Sequence, residues 1–161
     1  MARPGERVDT AAMQSIVIQT PRADARTQAV GAACRSVFIA EDSRIVRERL
    51  VAMLDEIDGV SVVGEAESAQ DAVQGILDTR PDWVLLDLQL IGGTGIDVLR
   101  QVRSRVPDTK FVVLTNLSTP QYRRICFEAG ANHFFDKTQV MTVREVIAGP
   151  RPDTPKGEVT C

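Results

Sequence analysis

Five side chains of this 161-residue sequence are of types that could do chemistry together: the adjacent acids Glu41 and Asp42, then Asp87, Thr115 and Lys137. Asp87 interrupts the apolar run VLLDLQL, where an unpaired carboxylate in a core would cost several kcal/mol. A strand-end acid that simply reaches solvent would account for Asp87 taken alone. Glu41 and Asp42 alone would equally be explained as acids favouring a helix N-terminus through its dipole. Held together, such carboxylates repel by roughly 3 kcal/mol per pair at about 5 Å and an effective dielectric near 20. A cation, a lysine or protonation must relieve that repulsion. Hard carboxylate oxygens, with the remaining positions left to water and phosphate, describe a Mg2+ site. A carboxylate able to attack, a hydroxyl donor and a lysine complete a set suited to moving a phosphoryl group onto an aspartate. Mg2+, Thr115 and Lys137 would neutralise charge on the phosphoryl oxygens. A lone strand-end lysine is ordinarily solvated, and a threonine there is ordinary strand chemistry. The chemistry therefore requires that all five converge.

The elements that must bring them together are legible in the hydrophobic pattern. Strands are expected at Ser36 to Ala40, Val60 to Glu65, Asp82 to Leu88, Lys110 to Thr115 and Asn132 to Phe135. The runs WVLLDL and FVVLT are nearly continuous, as in strands covered on both faces. A helical pattern follows each strand. The first places Val46, Leu50, Met53, Leu54 and Ile57 on one face; the second opens at Ser68 with Asp71 three residues on, resembling a capping box. The third presents Val98, Leu99 and Val102. The fourth starts at Thr119-Pro120, stops at Gly130 and is expected to bury Tyr122, Ile125, Cys126 and Ala129; the fifth carries Val140, Val143, Val146 and Ile147. Such an alternation predicts an α/β domain over residues 36–148. Right-handed crossovers favour a five-stranded doubly wound parallel sheet in the order 2-1-3-4-5, the flavodoxin-like arrangement. In that order the first, third, fourth and fifth strands are neighbours, and their carboxyl ends carry Glu41-Asp42, Asp87, Thr115-Asn116 and Lys137.

Outside this span the chain is different in character. Residues 1–35 carry five arginines against three acids and few large apolar residues, which predicts a disordered extension. Residues 149–161, GPRPDTPKGEVTC, read as a tail. Apolar runs such as WVLL fall far short of the roughly 18 residues of a membrane span, and no secretory signal opens the chain. Three cysteines without ligand spacing exclude a disulfide scaffold and a zinc ribbon, and they point to the reducing cytoplasm. A net charge of −3 argues against a dedicated nucleic-acid binder.

The segments FIAEDSRIVRERL, GEAESAQDAV, RPDWVLLDLQLIGGTGIDVL, VVLTN and EAGANHFFDK, in this order, resemble the receiver domain of bacterial two-component response regulators. The resemblance implies that Asp87 is the phospho-acceptor, that Glu41 and Asp42 join it as Mg2+ ligands, and that Thr115 and Lys137 are the hydroxyl and lysine of the site. It implies a switch role for Phe134 and signalling through the face of the fourth helix, fifth strand and fifth helix. The implied donor is a sensor histidine kinase or phosphotransfer protein, and the implied recipient is a protein, with a homodimer left open. A stand-alone receiver is expected, without nucleic-acid or membrane contact, catalysing only its own phosphorylation and dephosphorylation.

The chain departs from the receiver pattern in four places. Leu90-Ile91 stands where Met-Pro is common, and Lys137-Thr138 where Lys-Pro with a cis bond is common. A cis bond without proline costs about 2.5–4 kcal/mol, so Lys137 is expected to be held differently. Asn116 is bulkier than the usual Ala or Gly, and Phe134 lacks a hydroxyl, leaving ring packing to do any switching. The run GGTG at 92–95 lacks the lysine of a phosphate loop and is expected to be a flexible loop beside Asp87; the sole histidine, His133, is expected at a strand edge. Gln89 lies where it could touch an attacking water. Trp83, close to Asp87 in sequence, is expected to report Mg2+ by quenching. Competing identities are a receiver that is never phosphorylated and serves as an interaction module, and a flavodoxin-like cofactor binder. The latter needs a hydroxyl- and glycine-rich loop where this chain has Glu41-Asp42-Ser43-Arg44.

Overall fold

Alternating side-chain direction along a strand lets one apolar run feed two cores, and the first strand shows this directly. In β1 (Arg35–Ala40), Val37 and Ile39 enter one core while Phe38 and Ala40 enter the other. The computed structural model describes residues 34–150; the expectations for the rest of the N-terminal extension and for residues 151–161 lie outside the described residues. After β1 come α1 (Arg44–Asp55), β2 (Val60–Ala66), α2 (Ala69–Thr79), β3 (Trp83–Leu86), α3 (Gly95–Val102), β4 (Lys110–Thr115), α4 (Pro120–Ala129), β5 (His133–Asp136) and α5 (Val140–Ala148). The sheet runs β2-β1-β3-β4-β5 with every pairing parallel, the order expected. Ile76, Val98, Leu99 and Cys126 from α2, α3 and α4 fill one core with Phe38 and Phe111; Leu50, Leu54, Val143 and Ile147 from α1 and α5 fill the other with Ile39 and Leu85.

Phe38 explains two glycines. A Cβ at Gly64 would stand 2.7 Å from its ring and one at Gly75 2.5 Å, so the ring occupies the space both leave open. Helix starts follow their caps: Ser68 Oγ accepts from Asp71 N–H at 3.0 Å, and Thr119 caps the Pro120 end of α4. The reciprocal capping box forms elsewhere, between Thr94 and Asp97 at the start of α3.

Three further expectations are corrected. The GGTG segment is not a simple flexible loop: Gly93–Thr94 pairs antiparallel with Gln89–Leu90. Gly95 packs against the Asp87 carbonyl oxygen, where any Cβ would collide, and that contact requires a glycine. In α4 only Cys126 of the expected stripe is fully buried, and Tyr122 is 36% exposed. The helix lies over the edge strand β5 and beside α3, so a narrow stripe suffices to cover it. Strand 3 is also shorter than its apolar run, because the chain leaves the sheet at Asp87. No described helix is long and apolar enough to cross a membrane.

Candidate functional site

The candidate residues stand at strand ends: Thr115 is the last residue of β4, and the others follow the last residue of a strand. β1 ends at Ala40 and releases Glu41 and Asp42; β3 ends at Leu86 and releases Asp87. Main-chain bonds tie these turns to their neighbours: Asp87 N–H donates to Ala40 C=O, and Glu41 N–H to Ala66 C=O at the end of β2, both at 2.9 Å. Glu41 and Asp87 are thereby drawn almost wholly out of solvent, whereas Asp42 stays exposed at the rim. Oxygens of Glu41, Asp42 and Asp87 all lie within 4.8 Å of one another.

Lys137 reaches this cluster from the far side of the sheet. Its Nζ is 2.8 Å from Asp87 Oδ2 and 2.9 Å from Glu41 Oε2. A short 3-10 turn, Lys137–Gln139, holds it there. Asp136 fixes that turn by accepting from Thr138 N–H at 2.9 Å, while Gln139 Oε1 accepts from Asp136 N–H at 3.0 Å. This box closes the turn that carries Lys137, and the described residues contain no cis peptide. Asp136 also accepts from Ser118 Oγ at 2.6 Å, and that bond, with the one from Thr138 N–H, lowers its pKa.

The electrostatics follow from burial and pairing. Burial pushes the Glu41 carboxyl up, with Asp87 adding repulsion; bonds from Lys137 and Ser43 N–H pull it back only in part. Burial alone would depress Lys137, but its bonds to Asp87 and Glu41 outweigh it and hold the ammonium charged. Asp87 Oδ1 accepts from Gln89 N–H at 3.3 Å; the Gln89 side chain itself is exposed.

Thr115 is fully buried. The register pairs Leu86 with Val113, so Thr115, two residues on, stands at the same end of the sheet as Asp87. Its Oγ1 accepts from Leu117 N–H at 3.2 Å, which leaves the hydroxyl proton available for donation. Asn116 is exposed beyond it. Phe134 points into the core, with the Arg123 guanidinium 5.8 Å over its ring. His133 is half-buried and stacks between Trp83 and Phe135 with centroids 6.0 Å away on each side. Trp83 opens β3, so it stands roughly 13 Å along the strand from Asp87 at about 3.3 Å per residue.

The sequence did not single out Arg47. It lies on the face of α1 that also buries Leu50 and Leu54, and its guanidinium contacts the Glu41 carbonyl oxygen, Glu65 and Glu67. The available signal was an arginine inside an apolar helical stripe.

An all-oxygen acid cluster whose repulsion is met by one lysine fits a small hard divalent cation. A doubly wound sheet gathering three acids, a hydroxyl and a lysine at its strand ends defines the receiver class of signalling domains. Residues 37–147 match the response regulator receiver domain, and the chain belongs to that family. Response regulator GacA of Pseudomonas aeruginosa is 30% identical over 125 residues, covering 74% of this chain and 58% of GacA. The DNA-binding transcriptional activator DevR/DosR of Mycobacterium tuberculosis is 35% identical over 101 residues, covering 63% of this chain and 46% of that protein. The chain thus spans about half the length of these relatives. The solved receiver domain of the response regulator NarL from Mycobacterium tuberculosis superposes with a TM-score of 0.66 at 28% identity, over 73% of this chain and 98% of that one.

Proposed function

We propose that this receiver accepts a phosphoryl group on Asp87 from a histidine kinase or phosphotransfer protein, with Mg2+ held by Glu41, Asp42 and Asp87. The observation that carries it is the convergence of those acids within 4.8 Å, with Lys137 bridging Glu41 and Asp87. A carboxylate oxygen of Asp87 attacks phosphorus, the bond to the donor nitrogen breaks, and its electron pair leaves with the donor imidazole. Bound Mg2+ supplies charge neutralisation for the phosphoryl oxygens. Lys137 exchanges its Asp87 contact for a phosphoryl oxygen, and Thr115 donates its free proton to another. The domain turns over nothing beyond its own acyl phosphate.

Phosphorylation turns the single charge of the Asp87 carboxylate into an acyl phosphate carrying about −1.5 to −2, and this biases the loop after Thr115 and the α4–β5–α5 surface between two populations. Tyr122, Phe127 and Met141 are exposed on its helices, which favours readout by a protein partner. Phe134 beneath Arg123 is the proposed link, by ring packing. The DNA binding named for DevR/DosR is a property of that relative.

Intact mass after incubation with Mg2+ and acetyl phosphate tests this. A gain of about 80 Da that needs Mg2+ and is lost in Asp87→Asn supports it. A protein that binds Mg2+ yet takes no phosphoryl group from either acetyl phosphate or a histidine phosphodonor is instead an interaction module that is never phosphorylated.

A further inference from the structure

Arg47 is only 8% exposed, yet its guanidinium is devoted to residues outside the acid cluster and to one main-chain atom inside it. Its Nη1 donates to the Glu41 carbonyl oxygen at 2.7 Å, its Nη2 to Glu67 Oε1 at 2.7 Å, and its Nε lies 3.1 Å from Glu65 Oε2. Glu41 and Asp42 sit on the turn between β1 and α1; Glu65 and Glu67 sit at the end of β2 and in the turn that follows. One planar fork therefore adds side-chain bonds between two turns that the main chain already links through Glu41 N–H and Ala66 C=O. Arg47 N–H also donates to Ser43 C=O at 2.9 Å, so the fork is rooted in the first turn of the helix that Ser43 opens.

We infer that Arg47 is a positioning residue that fixes the Glu41–Asp42 turn to the end of β2 and thereby sets the site's preference for Mg2+ over Ca2+. This rests on the acid cluster being the Mg2+ site proposed above. Mg2+ demands near-octahedral geometry at short oxygen distances, whereas Ca2+ tolerates irregular and longer ligation. A turn free to shift serves Ca2+ nearly as well and Mg2+ worse. Removing the guanidinium also removes a positive charge near the acids, which strengthens attraction for both cations alike. The ratio of the two affinities, rather than either one, isolates the geometric effect.

The test is calorimetric titration of the full chain with Mg2+ and with Ca2+, for the wild type, Arg47→Met, Arg47→Lys and Glu67→Gln. The preference for Mg2+ should fall roughly 10-fold or more in Arg47→Met, the scale on which residues supporting metal ligands act. Arg47→Lys keeps the charge but not the fork, and its ratio should follow Arg47→Met. Glu67→Gln alters only a half-exposed partner, stays folded if the others do not, and should shift the ratio in the same direction by less. A ratio unchanged in Glu67→Gln and in every folded Arg47 variant overturns the inference, as does full recovery by lysine, which would make charge alone responsible. A wild type that binds neither cation overturns the Mg2+ reading itself, and is recognised before any variant is compared.

Discussion

Lys137 lies between two carboxylates withdrawn from water, and a buried ion pair loses most when one partner is removed. Lys137→Met should destabilise the domain by about 3 kcal/mol in chelator, the low end for such pairs, because Glu41 can take up a proton. Saturating Mg2+ should restore much of this in a urea titration. Destabilisation indifferent to Mg2+ would count against a cation site at these acids. Cys126 offers a second residue-level test. Burial pushes its thiol up to about 11, so it should resist alkylation at mildly alkaline pH until denaturant is added, while the exposed Cys34 reacts in the folded protein. Mass mapping of the labelled cysteines distinguishes the two.

Among the elements, α2 shows how a helix can be selected against its own propensity. Alanine in place of glycine within a helix ordinarily adds about 1 kcal/mol of stability. At Gly75 the new Cβ would sit 2.5 Å from two ring atoms of Phe38, and overpacking of this kind costs roughly 1–3 kcal/mol. Gly75→Ala should therefore lower the urea midpoint, and combining it with Phe38→Leu should recover part of the loss. A stabilised Gly75→Ala would show that the β1–α2 contact is looser than described. α4 illustrates the opposite case: a helix held by Cys126 and its caps, exposing Tyr122 and Phe127. Few buried contacts make such an element inexpensive to shift, as a signalling surface requires.

Across the whole sheet, the aromatic row of Trp83, His133 and Phe135 couples stability to pH. Burial, and secondarily the nearby Lys110, lower the His133 pKa below 6.5. Between that depressed value and 6.5 the unfolded chain binds a proton that the folded one does not, so stability rises with pH through this window. His133→Gln should flatten the dependence in urea titrations across the same window. An unchanged slope would assign it to other groups.

Hydrophobic periodicity specified the alternation of strands and helices, because local amphipathicity records which faces must be covered, and the crossover rule then gave the parallel order; strand 3 alone stops short of its apolar run. The strand ends already placed Glu41, Asp42, Asp87, Thr115 and Lys137 on one side of the sheet. Periodicity could not say that Glu41 is buried while its neighbour Asp42 stays at the rim, since that depends on which main-chain atoms the turn finds across the sheet. Nor could it reveal that Asp136 and Gln139 close a capping box around the turn of Lys137, or that Phe38 fills the space left by Gly64 and Gly75. The Arg47 fork is of the same kind. Its partners are Glu41, Glu65 and Glu67, distant in the chain and adjacent only once β1, β2 and α1 have packed. Burial of an individual polar atom is a property of non-local neighbours, and only the assembled tertiary structure supplies them.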